Sequence, residues 1–121
     1  MPHEIIWEPK GVYKRFSGHV SAAEFLNSQE EVLADPRIDS ARYVINDFLG
    51  VTSYVATKDD AEYSAAYNRG ANFSNPRLRV ACITTSPGIR VLVAAAALVS
   101  TLKLKAFSSQ EEARRWADEQ R

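Results

Sequence analysis

Val20-Ser21-Ala22-Ala23-Glu24-Phe25-Leu26-Asn27-Ser28-Gln29-Glu30-Glu31-Val32-Leu33-Ala34-Asp35-Pro36 carries both ends of one helix. Ser21 and Glu24 have capping-box spacing, in which each side chain bonds a free backbone N–H of the first turn. Val20 and Phe25 hold the staple positions around that cap. Ala22, Phe25, Leu26, Gln29, Val32 and Leu33 then recur along one side at helical spacing. Asp35-Pro36 ends the helix, because the residue before proline avoids the helical region. Such a one-sided helix needs an apolar surface to cover, and the flanking residues supply strands.

Upstream, His3 to Glu8 and Val12 to Gly18 are apolar-aromatic runs separated by Pro9-Lys10-Gly11, the spacing of an antiparallel hairpin. Ile5 and Trp7 share a face of the first strand by the period of two. Downstream, Ala41 to Phe48 holds Tyr43, Val44, Ile45 and Phe48 with little alternation, as expected of a central strand covered on both faces. Asn46 and Asp47 interrupt it. A second helix is predicted to start after Thr57 and to run to about Phe73, with Asp60 at its third position and Asp59 also favouring its positive end; Gly70 weakens its last turn. Leu78 to Thr84 reads as a strand. Ser86-Pro87 opens a third helix, Gly88 to about Leu102, apolar almost all the way round. Such a helix is expected to lie between the sheet and a neighbouring helix of its own chain; the alternative is an outer face that forms a homodimer surface. Leu104 to Phe107 makes the last strand. Ser109 with Glu112 caps a final helix whose inner face is Ala113, Trp116 and Ala117. The order β-β-α-β-α-β-α-β-α predicts an α/β fold with a mixed five-stranded sheet. With no linker or repeat, residues 1–121 read as a single domain.

Composition narrows the partners. Fifteen Lys plus Arg balance fifteen Asp plus Glu, so there is no basic surface to displace counterions from phosphates, and no nucleic-acid partner is expected. Local pairs such as Lys14-Arg15 form no stripe. Cys82 is the single cysteine, which excludes an internal disulfide or a cysteine zinc cluster. In Val80-Ala81-Cys82-Ile83 it reads as a small buried hydrophobe. The greasiest stretch, Val91 to Leu102, is about twelve residues where a membrane span needs about twenty. Met1-Pro2-His3-Glu4 has neither the basic start nor the apolar run of a signal peptide, and the chain reads as cytoplasmic. Phosphate-loop, nucleophile-elbow, paired-histidine and dinucleotide motifs are all missing from the sequence. His3 and His19 are isolated and read as surface residues. No cofactor, metal site or catalytic residue is predicted.

Ile6-Trp7, Phe16-Ser17-Gly18 before a capped helix, and Asp35-Pro36-Arg37 leading into Arg42-Tyr43-Val44-Ile45-Asn46-Asp47-Phe48 together resemble small STAS-like proteins. So does the ending, Phe107-Ser108-Ser109, Glu111-Glu112-Ala113 and Trp116. The branch resembled is that of uncharacterised bacterial relatives of anti-sigma-factor antagonists, whose fold is also similar to lipid-carrying CRAL-TRIO domains. The resemblance spans nearly the whole chain and implies a non-enzymatic regulatory or protein-interaction role. In the regulatory antagonists an Asp-Ser-Ser-Gly-like stretch follows the strand that ends in Asp, and its serine is phosphorylated by a partner kinase. Here Val55-Ala56-Thr57-Lys58 stands in that place, with Ala56 or Thr57 at the serine position. Thr57 is thus the candidate phosphate acceptor.

Two segments, Asp47 to Thr57 and Thr84-Thr85-Ser86-Pro87-Gly88, are expected to be loops running from a strand end to a helix start, the edge where ligands favour open α/β sheets. Thr84, Thr85 and Ser86 offer hydroxyls beside free helix N–H groups, or merely finish a strand and cap a helix. Asp47 reads as a carboxylate in a cleft or as the acceptor that holds its own turn. Asp47, Thr57, Thr84, Thr85 and Ser86 are the candidate ligand- or partner-binding residues. Three roles follow: an interaction module with a protein partner or as a homodimer; a carrier of a small apolar or amphipathic ligand under the second helix and beside the third; and an enzyme built on Asp47 with the hydroxyls, which requires one cleft joining both loops.

Overall fold

The computed structural model describes residues 3–100 and 102–119. Met1 and Pro2 of the expected leader comparison, and Thr101 of the expected third helix, lie outside the described residues. The chain opens with β1 (His3–Trp7) and β2 (Gly11–Ser21), an antiparallel hairpin in which Ile6 faces Tyr13. Gly11 is required there. A Cβ would stand 2.6 Å from the Tyr43 carbonyl oxygen. Helix α1 (Ala22–Ala34) follows, then a short 3-10 turn at Pro36–Ser40 and the strand β3 (Tyr43–Val55). After these come α2 (Lys58–Ser74), β4 (Arg79–Ile83), α3 (Pro87–Val99), β5 (Lys103–Phe107) and α4 (Gln110–Ala117).

The strands lie in chain order, β1-β2-β3-β4-β5, and all pairs after the hairpin are parallel. Right-handed crossovers that always step in one direction put every connecting helix on the same face of the sheet. Accordingly Val32 of α1, Ala71 of α2, and Ile89 and Val93 of α3 share one core with Val12, Phe16, Val44, Val80 and Cys82. Helix α4 packs alone on the opposite face, where Ala113 and Ala117 meet Tyr13, Tyr43, Ile45, Ala81 and Ile83.

Three expectations need correction. First, the segment after Asp47 is strand, not loop: β3 continues to Val55, and β2 reaches Ser21 beside it. β4 pairs β3 only as far as Asp47, so the remainder forms a ribbon with β2 alone, Val20 opposite Tyr54. Phe25 of α1 packs against Phe16, Phe48 and Tyr54, which gives the ribbon its apolar support. The β2–β3 pairing shifts register twice, each time with the extra residue on β3, and Gly18, at φ +68°, stands at the second shift.

Second, the capping box at Ser21 is half made. Ser21 Oγ accepts from Glu24 N–H at 3.1 Å, but the Glu24 carboxylate turns to His3 Nδ1 at 3.0 Å. His3 is therefore no surface residue: its side chain is 9% exposed. The complete box lies at Thr57 and Asp60. Third, α3 is not sandwiched between the sheet and a neighbouring helix. Only Ile89 and Val93 are buried, while Val91, Leu92, Leu98 and Val99 face outward, Leu98 being 88% exposed.

Candidate functional site

Period-two alternation sets which β2 residues enter the helix-covered core: Val12 and Phe16 do, and so does the residue between them, Lys14. Lys14 is 2% exposed. Register places Lys14 beside Asn46 of β3, and Asn46 beside Cys82 of β4, so three polar side chains form one buried row across the sheet. From α1, Ser28 Oγ accepts from Lys14 Nζ at 3.1 Å and donates its own hydrogen bond to the Phe25 carbonyl at 2.6 Å. The Lys14 ammonium also stands 4.9 Å from the centre of the Phe25 ring. Asn46 Nδ2 meets Cys82 Sγ at 3.7 Å, and Gln29 Nε2 of α1 donates to Asn68 Oδ1 of α2 at 3.3 Å. Burial pulls Lys14 from 10.5 down to about 7 and pushes the Cys82 thiol from 9.0 up to about 11. A pocket of about 40 Å³ lies against Lys14, Gln29 and Asn46.

Asp47, next along β3, points to the other face. The Tyr13 hydroxyl donates to Asp47 Oδ2, and Leu49 N–H donates to Oδ1 at 2.9 Å. Gln110 of α4 donates to the Tyr13 oxygen at 3.2 Å. The Asp47 carboxylate is thus bonded on both oxygens, and the residue is 7% exposed. Burial, followed by the bond to Asp47, raises the Tyr13 phenol. A second tie on this face joins Glu8 to Tyr43 and, through two bonds of 2.9 and 2.8 Å, to Arg114 of α4.

The hydroxyl candidates do not join Asp47. Thr84 is 1% exposed, and its Oγ1 accepts from Ser86 N–H at 3.0 Å. Ser86 Oγ caps α3 by accepting from Ile89 N–H at 3.3 Å. Thr85 is exposed. Because α3 packs on the face opposite Asp47, the cleft that the enzyme reading requires is not formed between these groups. Thr57 is exposed and sits in the capping box of α2, its hydroxyl donating to Asp60 Oδ2 at 2.9 Å. Phosphate there would meet that carboxylate. Among the described residues, no group of three His, Cys, Asp or Glu side chains is placed to hold a metal ion, and no helix is long and apolar enough to cross a membrane.

The polar row escaped sequence reading because Lys14 and Arg15 look alike as a basic pair. The usable signal was parity: Lys14 occupies an inward position between Val12 and Phe16, while Arg15 points away.

No family model matches the sequence, and no curated protein matches it. Among solved structures, the chain is similar to an uncharacterised protein of the DUF3478 family from Shewanella loihica PV-4, described as having a SpoIIAA-like fold. The TM-score is 0.66 over 95% of this chain and 93% of that one, at 13% sequence identity. The fold is SpoIIAA-like. This agrees with the STAS-like resemblance of the sequence. At that identity the likeness carries the fold alone, so the role of this SpoIIAA-like domain rests on its own residues.

Proposed function

We propose that this SpoIIAA-like domain is a non-enzymatic interaction module that works through the outer face of α3, with a second copy of the chain as occupant. The observation that carries it is the exposure of Val91, Leu92, Leu98 and Val99 on one 13-residue helix. Monomeric proteins rarely leave a continuous apolar patch of more than a few hundred Å² in water. Arg90 is the single charged residue of α3, so the face has no charge pattern to select a charged partner. An apolar face without polarity is complementary to itself, the requirement of a two-fold interface. Ala94 to Ala97 in its middle allow two helices to approach closely. The engagement of Asp47, Thr84 and Ser86 in internal bonds supports a role without catalysis. We place this role in the cytoplasm, in keeping with a single free, buried cysteine.

Sedimentation velocity from low micromolar to submillimolar protein tests the reading. A species of twice the monomer mass is expected, lost in Leu98→Asp, whose side chain is exposed in the single chain and does not support its core. A monomer at every concentration would sink the proposal.

A further inference from the structure

We propose that Lys14, Asn46 and Gln29 form a binding site for a small monocarboxylate, with the Lys14 ammonium as its counter-charge. This site lies under α1 and α2 and is independent of the α3 surface.

Lys14 has three N–H donors when charged. One goes to Ser28 Oγ, and among the described residues no carboxylate lies within 4 Å of its nitrogen. A buried ammonium without an anion is strongly disfavoured. Burial accordingly draws its pKa down to about 7, with Cys82 and Glu31 opposing only in part. A bound carboxylate supplies the absent charge and accepts hydrogen bonds from the two spare N–H groups.

The pocket next to this amine is built for a small polar group. Asn46 Oδ1 and Gln29 Oε1 are buried without hydrogen-bond partners, although both residues are more than nine-tenths buried. Each amide is held by one end only. Turning the Asn46 amide over lets Cys82 S–H donate to its oxygen, and turning Gln29 and Asn68 over together keeps the bond between them, so that both buried amides present NH₂ donors to the pocket. The remaining wall is apolar, including Val32, Ile38 and Leu78. A water needs only about 10–15 Å³ of such space, whereas benzene occupies a cavity of about 150 Å³. The 40 Å³ pocket therefore suits the carboxylate end of acetate or propionate. One buried positive charge selects a monoanion.

The test is a titration of the protein with sodium propionate against sodium chloride at equal ionic strength, followed by ¹³C-edited NMR of the lysine side chains. A saturable shift of the Lys14 resonance is expected. Affinity, read from the backbone amides around the pocket, should fall at least about tenfold in Lys14→Met, the loss of a charge-assisted bond. Propionamide, equal in size but neutral, should bind at least about tenfold more weakly. The wild-type Lys14 signal gives a readout that needs no variant. A Lys14 resonance that does not respond, equal affinity in Lys14→Met, or equal binding of propionamide each overturns the proposal.

Discussion

Replacing Lys14 by methionine should stabilise the fold, and the size of the gain follows from the buried charge. Lys14 falls from 10.5 in the unfolded chain to about 7 in the folded one. At about 1.4 kcal/mol per unit, that shift sets an upper bound of about 5 kcal/mol on the penalty at neutral pH. Replacement of buried charges by packed apolar groups returns about 1–4 kcal/mol in practice. Between pH 7 and 10.5 the unfolded chain holds the lysine proton and the folded chain has released it, so stability rises with pH. Below pH 7 both states are protonated and the full penalty remains. Cys82 acts oppositely above pH 9, because the folded thiol keeps its proton up to about 11 while the unfolded one loses it near 9.0. The net gain is therefore confined to pH 7–9 and amounts to about 3 kcal/mol. Urea unfolding followed by the fluorescence of Trp7 and Trp116, in chloride buffers free of carboxylates, measures it. The wild-type midpoint should rise by about 2 M between pH 7 and 9, given a slope near 1.5 kcal/mol per molar. The Lys14→Met midpoint should start higher and stay flat. A wild-type midpoint that does not move, or the same rise in Lys14→Met, shows that Lys14 does not carry the buried charge.

Gly11→Ala should lower stability by about 2–4 kcal/mol, since its Cβ would press on the Tyr43 backbone as well as on its ring, and a thermal melt reads the loss. On the α4 face, burial and the bond to Glu8 hold the Tyr43 phenol at about 12. Glu8→Gln removes the charge that opposes ionisation, so an alkaline absorbance titration should show the latest tyrosine transition moving toward 10.

Local signals placed almost every element. Ser21, Thr57, Ser86 and Ser109 all sit at helix N-caps, because a hydroxyl before an apolar period satisfies the same free N–H groups in any fold. The length of β3 was harder to read. Leu49-Gly50-Val51-Thr52-Ser53 alternates poorly, and its strand state depends on pairing with Ser17–Ser21 and on the Phe25 ring, both distant in sequence. Position of α3 was misjudged for a related reason. An apolar helix in sequence declares that it will be covered, but not whether its own chain or another does the covering. The polar row of Lys14, Asn46 and Cys82 needs three strands in register before it exists at all.

Consecutive residues of β2 and β3 explain why that row holds its place. Tyr13 and Asp47 are bonded on the α4 face, and each is followed or preceded by a residue on the opposite face, Lys14 and Asn46. Slipping β2 by one residue would turn Lys14 into solvent, but it would also break the Tyr13–Asp47 bond and expose Val12 and Phe16, both 0% exposed in the fold. Burying two such side chains stabilises by about 3–6 kcal/mol, comparable to the penalty on Lys14. The tie to Asp47 and the close approach of Gly11 to Tyr43 add to the same side. Register is thus settled by neighbours of Lys14 and not by Lys14 itself. Methionine at position 14 would fill the same inward slot with less strain on the fold, so the lysine is no requirement of the architecture. Its charge, its two spare donors and the pocket against it belong together as a site, and the sheet supplies the rigid register that holds them.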